Sequence, residues 1–172
     1  MKRETIAFLT RAGLIGALYA ALTVILAPIS YGPIQVRVSE ALTILSFFSP
    51  SAIIGLWAGC FVANFISNAG IYDVAFGSLL TAMAAYLTYL LGKRNLWFLA
   101  PLPTVVLNAF GVSAYLQYFY KPPNIALLGN LSAYWIFVIT IGIGELIACY
   151  IIGLPLLLII SHSRLKSILQ ER

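Results

Sequence analysis

Charged residues are scarce in this sequence. Only 9% of its 172 residues are Asp, Glu, Lys or Arg, whereas 62% are hydrophobic. A soluble domain carries about 25% charged residues, and so few charges cannot cover a water-exposed surface. The composition therefore predicts an integral membrane protein. Its apolar runs are continuous rather than alternating, which favours helices over a membrane β-barrel.

The residues of catalytic and metal sites are also scarce. The one histidine, His162, stands in the C-terminal tail, and Cys60 and Cys149 lie in separate apolar runs without forming a CxxC pair. No His, Asp or Glu set has metal-ligand spacing, and the pair Gly92-Lys93 lacks the rest of a GxxxxGK[ST] phosphate loop. We therefore expect no metal, no cofactor, no disulfide, no ATP hydrolysis and no enzyme activity.

The apolar segments predict one all-α transmembrane domain over residues 1–172. Its six helices are expected at 12–29, 36–48, 51–67, 74–91, 96–119 and 131–161, with tails at 1–11 and 162–172. Helix 2 is short: at 1.5 Å per residue it covers about 20 Å of a hydrocarbon core of about 30 Å. Four spans are the alternative, if helices 2 and 3 form a re-entrant hairpin.

The basic residues predict the orientation of the chain. There are ten Lys and Arg against five Asp and Glu, and most of them flank apolar segments, which indicates a topology signal rather than nucleic-acid binding. If both termini are cytoplasmic, only Arg37 and Lys121 lie outside. The inner side then holds the other eight: Lys2, Arg3, Arg11, Lys93, Arg94, Arg164, Lys166 and Arg172. The run 12–29 is longer than a signal-peptide core and is expected to be retained.

Three charges lie in or beside apolar segments and need partners. Arg37 and Glu40 are three residues apart, on one face of a helix, and Glu145 lies near the middle of helix 6. A charge at the membrane centre costs about 2.5 to 3.5 kcal/mol. Arg37 and Glu40 either form a mutual salt bridge or bind a ligand. Glu145 either is protonated and bonded to a neighbouring helix or faces a binding cavity.

Amide and aromatic side chains fall in the same outer half of the predicted bundle. Asn64, Asn108, Trp57, Tyr72 and Trp135 join the three charges there. The amides could instead be ordinary interhelical hydrogen bonds, and the aromatic rings could be interface or packing residues. Taken together, the set suits a small, flat, nitrogen-rich ligand, because rings stack on its plane and carboxylates accept its N–H groups.

Helix 1 carries small residues spaced by four. Gly13, Ala17 and Ala21 form one stripe, and Gly16 and Ala20 form the next. Such stripes let helix backbones approach closely. They serve either packing within the protein or docking onto another membrane subunit.

Four segments carry a resemblance to a known family. They are APISYGPIQVRVSEALTILSFFSPSAIIGLWAGCFVANFIS (27–67), DVAFGSLLTA, LAPLPTVVLNA and IGIGELIACYIIGLPLL. They resemble the QueT family, and the GPIQ-x-R-x-SEAL part is the most specific. This family is similar to the substrate-binding (S) components of energy-coupling factor (ECF) transporters. It is assigned to queuosine precursors, which are flat, nitrogen-rich 7-deazaguanine bases.

The resemblance implies the substrate-binding subunit of an ATP-driven uptake transporter in a prokaryotic plasma membrane, with six helices and both termini cytoplasmic. Its implied partners are a transmembrane coupling subunit and two cytoplasmic ATPases. Docking in this class uses an AxxxA-type stripe, which Ala17 and Ala21 match best. Arg37, Glu40, Asn64 and Glu145 stand in the matching segments and are the implied site residues.

Three alternatives remain open. A stand-alone proton- or ion-coupled transporter would use Glu145 as its proton site, although the sequence has no recognisable inverted repeat. An intramembrane enzyme would need a nucleophile and a base, and the sequence offers no good pair. A structural subunit would use the helix 1 stripe and leave Glu145 unexplained. The sequence also leaves open which precursor is bound, whether the ATPase module is shared, and the oligomeric state.

Overall fold

The computed structural model describes residues 2–31, 35–67 and 70–169, and within these ranges the chain is helical, with no β-strand. We name six main helices α1 to α6 in chain order. Short helical turns also lie at Ala27–Ser30, Ala126–Leu128 and Leu165–Leu169. The predicted all-helical class is confirmed. The main helices are Lys2–Ile25 (α1), Val38–Phe47 (α2), Ser51–Ile66 (α3), Asp73–Lys93 (α4), Trp97–Phe119 (α5) and Ala133–Ser161 (α6).

Four helices, α1, α4, α5 and α6, are long and apolar enough to cross a membrane. Large apolar side chains face outward from the bundle, such as Leu14, Phe65 and Ile151, which are 67%, 72% and 68% exposed. Such a surface suits lipid rather than water. The helices α2 and α3 have 10 and 16 residues. Six spans and two cytoplasmic termini therefore stay predictions.

The start of α1 differs from its prediction. The helix begins at Lys2 rather than Ala12, so residues 2–11 continue it, and it ends at Ile25 rather than Ile29. Hydropathy marks only the apolar part of a helix, but Lys, Arg and Glu are good helix formers, and Glu4 in the first turn complements the helix dipole. The boundaries predicted for the other five helices lie within two residues of those observed.

The short helix α2 lies at the centre of the bundle. It is a 3₁₀ helix over its ten residues, and Ser39 through Ser46 are all buried. It packs against α1, α3, α4 and the second half of α6. Runs of 3₁₀ helix longer than three or four residues are uncommon. The predicted shortness of helix 2 is confirmed, but its 3₁₀ geometry and central position were not predicted.

The helices α1 and α3 touch through their backbones. A methyl group added to Gly59 of α3 would lie 2.5 Å from the carbonyl oxygen of Gly16 in α1, so only glycine fits at this crossing. Below it, Tyr19 of α1 packs with Leu56 and Cys60 of α3 in the main hydrophobic core. This close approach brings the inner face of α1 against the centre of the molecule.

Each of α4, α5 and α6 contains a π-helical segment: Asp73–Gly77, Asn108–Val112 and Ile147–Gly153. Turns of this type are frequent at functional sites. Asp73 and Asn108 begin two of the segments, and Glu145 lies two residues before the third. The distortions thus coincide with polar side chains that the sequence places inside apolar helices.

Candidate functional site

The carboxylate of Glu40 lies at the centre of a buried polar cluster. Glu40 has no exposed surface. Its Oε1 accepts a hydrogen bond from the hydroxyl of Tyr19 at 2.5 Å and one from Thr81 at 3.0 Å. Because these donors belong to α1 and α4, one carboxylate of α2 ties three helices together.

Arg37 is the cation of this cluster. It precedes α2 and is only 3% exposed, with Nη1 3.9 Å from Glu40 Oε1. Its Cζ lies 5.3 Å from the centre of the Tyr31 ring, a cation–π contact. The predicted mutual salt bridge is confirmed, but at a distance too long for a hydrogen bond. The two charges therefore attract each other electrostatically, but neither fulfils the hydrogen-bonding capacity of the other.

Three polar atoms of this pair lack partners among the described residues. They are Nε and Nη2 of Arg37 and Oε2 of Glu40, and all three are buried. Buried polar atoms in native proteins are nearly always hydrogen-bonded, and an unsatisfied one costs about 1 to 3 kcal/mol, more when it is charged. Two donors and one acceptor therefore stand close together, each able to bind a ligand group.

A second buried carboxylate, Glu145, faces neutral partners. Asn108 of α5 donates from Nδ2 to Oε1 at 2.9 Å, and the thiol of Cys149 lies 3.6 Å from Oε2. The same thiol lies 3.7 Å from the backbone oxygen of Glu40. The predicted bond between Glu145 and a neighbouring helix is confirmed, and it links α6 to α5. Through Cys149 the second carboxylate is also linked to the backbone of Glu40 in α2.

Asn64 joins Tyr31, in the segment between α1 and α2, to the start of α4. Its Nδ2 donates to the backbone oxygen of Asp73 at 2.8 Å, and its Oδ1 accepts from the hydroxyl of Tyr31 at 3.0 Å. Burial raises the pKa of Tyr31, because the phenolate is less well solvated, so its hydroxyl remains a donor. The alternative of ordinary interhelical bonding is confirmed for Asn64, as it is for Asn108.

The three aromatic residues predicted to bind ligand lie outside the buried cluster. Trp57, Tyr72 and Trp135 are 44%, 44% and 49% exposed. Trp135 contacts the ring of Tyr134, and Tyr72 stacks on Phe119 with ring centres 4.4 Å apart. Their ligand contacts stay predictions.

Several residues of the cluster were missed in the sequence. Tyr19 and Thr81 lie in apolar stretches of α1 and α4, and nothing in their spacing relates them to Glu40. Cys149 had a usable signal, because it stands four residues after Glu145, on one helix face. Asp73 was not predicted as a site residue; its side chain accepts a hydrogen bond from Tyr115 of α5 at 2.7 Å.

The two adjacent small-residue stripes of helix 1 differ in burial. Gly16 is buried against α3, whereas Gly13, Ala17 and Ala21 are exposed. The exposed side opens into an apolar groove of about 350 Å³ between α1 and α3. Internal packing therefore involves Gly16 of the second stripe, and docking by the first stripe, with Ala17 and Ala21, stays a prediction. The groove is lined by Leu9, Ala12, Gly13, Gly16, Ala17, Ala20, Ile54, Gly55, Ala58, Gly59 and Val62.

Metal ligands are not clustered in residues 2–31, 35–67 and 70–169. No group of three or more His, Cys, Asp and Glu there could hold a metal ion. The polar cluster offers hydrogen bonds and charge, which suits binding rather than metal chemistry.

Comparison with known proteins gives the family. The model of the QueT transporter family matches residues 9–162. The queuosine precursor transporter QueT of Lactococcus lactis subsp. cremoris (strain MG1363) is 40% identical over 96 residues, which are 55% of this chain and 56% of that relative. The chain thus aligns with little more than half the length of this relative, and no solved structure matches it. The family comprises transporters rather than enzymes, and since its model covers nearly the whole chain, this protein belongs to the QueT transporter family.

Proposed function

We propose that this chain is the membrane-embedded substrate-binding subunit of an ATP-driven ECF-type uptake transporter, and that it binds a queuosine precursor at the outer side of the membrane. The observation that carries the proposal is the buried pair of Arg37 and Glu40, which together hold two nitrogens and one oxygen that have no partner among the described residues. The name of the Lactococcus relative supports the substrate class.

The chemistry of these atoms complements one edge of a 7-deazaguanine base. That edge presents a carbonyl oxygen beside a ring N–H and an amino group. Arginine donors suit the carbonyl oxygen, and a carboxylate oxygen suits the N–H groups. Arg37 Nε and Nη2 thus face the acceptor and Glu40 Oε2 faces the donors. A ligand lacking either group would leave a buried charge unsatisfied, which is the basis of selectivity.

The second carboxylate extends this polar surface towards α5 and α6. Glu145 is linked to the backbone of Glu40 through Cys149, and Asn108 orients it. Asn64 holds Tyr31, whose ring lies against the guanidinium of Arg37. We assign Arg37, Glu40 and Glu145 to direct ligand contact, and Asn64 and Asn108 to holding the site in shape.

Energy and docking come from partners in this proposal. The sequence has no phosphate loop, so two cytoplasmic ATPases supply the energy and a transmembrane coupling subunit transmits it. The groove between α1 and α3 accepts a helix of that coupling subunit. It is apolar and rich in Gly and Ala, and such surfaces associate in lipid by close backbone packing.

Calorimetry with the purified full chain tests the proposal. We expect tight binding of 7-deazaguanine precursors and no binding of riboflavin or biotin. Guanine is the informative control, since it shares the hydrogen-bonding edge but has a ring nitrogen at position 7. Failure to bind any precursor would overturn the substrate. Precursor binding without ATPase-dependent uptake in cells would overturn only the energy coupling.

A stand-alone proton- or ion-coupled transporter is the second candidate, and one observation favours it. The partners of Glu145 among the described residues are neutral, as suits a carboxyl group that gains and loses a proton. This candidate predicts accumulation of precursor in vesicles that hold this chain alone, driven by a proton gradient without ATP. Absence of such accumulation removes it.

A further inference from the structure

An aromatic cavity lies beside the polar cluster, between the start of α4 and the end of α5. Its volume is about 280 Å³, close to the lower limit for small-ligand pockets. Asp73 lines it together with Tyr72, Tyr115, Phe119 and Tyr120. A small chemical group, rather than a whole large ligand, fits this space.

Asp73 brings a carboxylate to this cavity. Its side chain is buried, with 5% exposed, and its Oδ1 accepts a hydrogen bond from Tyr115 at 2.7 Å. A carboxylate has about four acceptor positions, so Tyr115 fixes its orientation and leaves accepting capacity towards the cavity. The hydroxyl of Tyr115 thus acts as a positioning group.

The walls of the cavity are aromatic faces. Tyr72 and Phe119 stack with ring centres 4.4 Å apart, and the rings of Tyr115 and Tyr120 also line the cavity. Aromatic faces attract cations, and the attraction grows where water is excluded. A buried carboxylate surrounded by aromatic rings therefore favours an organic cation, gives little to a neutral polar group and repels an anion.

A chain of contacts links this cavity to the proposed base-binding site. The Tyr31 ring contacts Arg37, the Tyr31 hydroxyl bonds to Asn64, and Asn64 donates to the backbone oxygen of Asp73. The two regions are therefore connected through the side chains of Tyr31 and Asn64.

We infer that Asp73 and the aromatic cavity hold an ammonium group of the ligand, so that this protein selects a precursor that carries a primary amine over an uncharged one. The inference rests on the proposed function and names the substrate form within it. A purely structural role is the competing explanation, since Asp73 begins α4, where a negative charge stabilises the helix dipole.

Calorimetry with two ligands separates these roles. The purified full chain is titrated with 7-aminomethyl-7-deazaguanine, which is cationic, and with 7-cyano-7-deazaguanine, which is neutral. We expect the native chain to prefer the amine. Asp73→Asn should weaken amine binding about 10- to 100-fold, as expected for a charged hydrogen bond, and should leave nitrile binding within about twofold.

Two tyrosine variants sharpen the test. Tyr115→Phe keeps the ring but removes the hydroxyl that positions Asp73, and it should weaken only amine binding, by about 3- to 10-fold. Tyr118→Phe is the matched control, because Tyr118 lies on the same helix and is 78% exposed. It should change neither affinity.

Distinct outcomes overturn the inference and the proposed function. Equal weakening of both ligands by Asp73→Asn would assign Asp73 to structure, and no effect on either would place the ammonium group elsewhere. If Asp73→Asn does not fold, the ratio of amine to nitrile affinity in Tyr115→Phe takes its place: a lower ratio than in the native chain supports the inference, and an unchanged ratio overturns it. Binding of neither ligand by the native chain would remove the proposed function, and the inference with it.

Discussion

The buried centre around α2 and the outer face of α1 offer different interactions: hydrogen bonds and charge at the centre, and apolar shape on the outer face. The centre contains charges and hydroxyls from several helices. Three of its buried polar atoms have no hydrogen-bond partner among the described residues and can bind a ligand. The outer face offers Gly13, Ala17 and Ala21, whose side chains have no polar atoms, so it can recognise only shape. The proposed ligand site and the proposed docking face should therefore be separable by mutation, although α1 contributes to both through Tyr19 and Ala17.

The largest expected effect is that of Arg37→Met on the centre. Removing one partner of a buried ion pair leaves an uncompensated charge on Glu40 and costs about 3 to 5 kcal/mol of stability. Precursor affinity should fall about 100-fold or more, because two charged hydrogen bonds are lost. Chemical unfolding in detergent and calorimetry measure the two quantities.

The double variant Arg37→Met with Glu40→Gln serves as the control for stability. Replacing both charges should recover most of the lost stability, since such pairs can often be exchanged for neutral residues, but not the affinity. If the double variant still binds precursor as the native chain does, the pair is structural only.

Glu145→Gln has the next largest expected effect. Glutamine keeps the size and the oxygen that accepts from Asn108, so stability should change by less than about 1 kcal/mol. Affinity should fall about 10- to 100-fold through loss of a charged acceptor. Copurification with the coupling subunit should be unchanged. A loss of docking together with affinity would mean that the two regions are coupled.

Substitutions at Gly16 and Gly13 of α1 allow a direct comparison of its inner and outer faces. A methyl group at Gly16 would lie 2.8 Å from the backbone oxygen of Gly55, whereas one at Gly13 meets nothing within 4 Å. Gly16→Ala should therefore cost about 1 to 3 kcal/mol of stability. Gly13→Ala should be neutral or stabilising by about 1 kcal/mol, through helix propensity. Thermal unfolding measures the stability of both variants. Equal changes in stability would mean that the two faces of α1 do not differ in packing.

Ala17→Leu has the smallest effect on the isolated chain. It fills the groove between α1 and α3 and should weaken association with the coupling subunit about tenfold, through overpacking at a close helix contact. Precursor affinity should not change. Ala114→Leu, on the exposed face of α5, is the matched control. Equal copurification of both variants would place docking elsewhere.

Much of the fold could be predicted from local sequence. Apolar runs gave five of the six helices to within two residues, because side-chain periodicity and breakers such as Pro50 act locally. The start of α1 could not be predicted in this way, since Lys2 to Arg11 is helical although four of its ten residues are charged. The 3₁₀ geometry of α2 could not be predicted either. Its composition does not indicate a 3₁₀ helix, and its packing against four other helices is a property of the tertiary structure.

The sequence by itself determined that the protein is an all-helical membrane protein with charges too costly to be incidental. Arg37, Glu40 and Glu145 could be singled out because a charge in an apolar membrane segment costs free energy that a partner, a ligand or a proton must offset. Only the tertiary structure decided which atoms remain unpartnered, which of two adjacent small-residue stripes faces outward, and that Tyr19, Thr81 and Cys149 complete the cluster. Those facts depend on contacts between residues as far as 109 positions apart, and spacing along one helix carries no information about them.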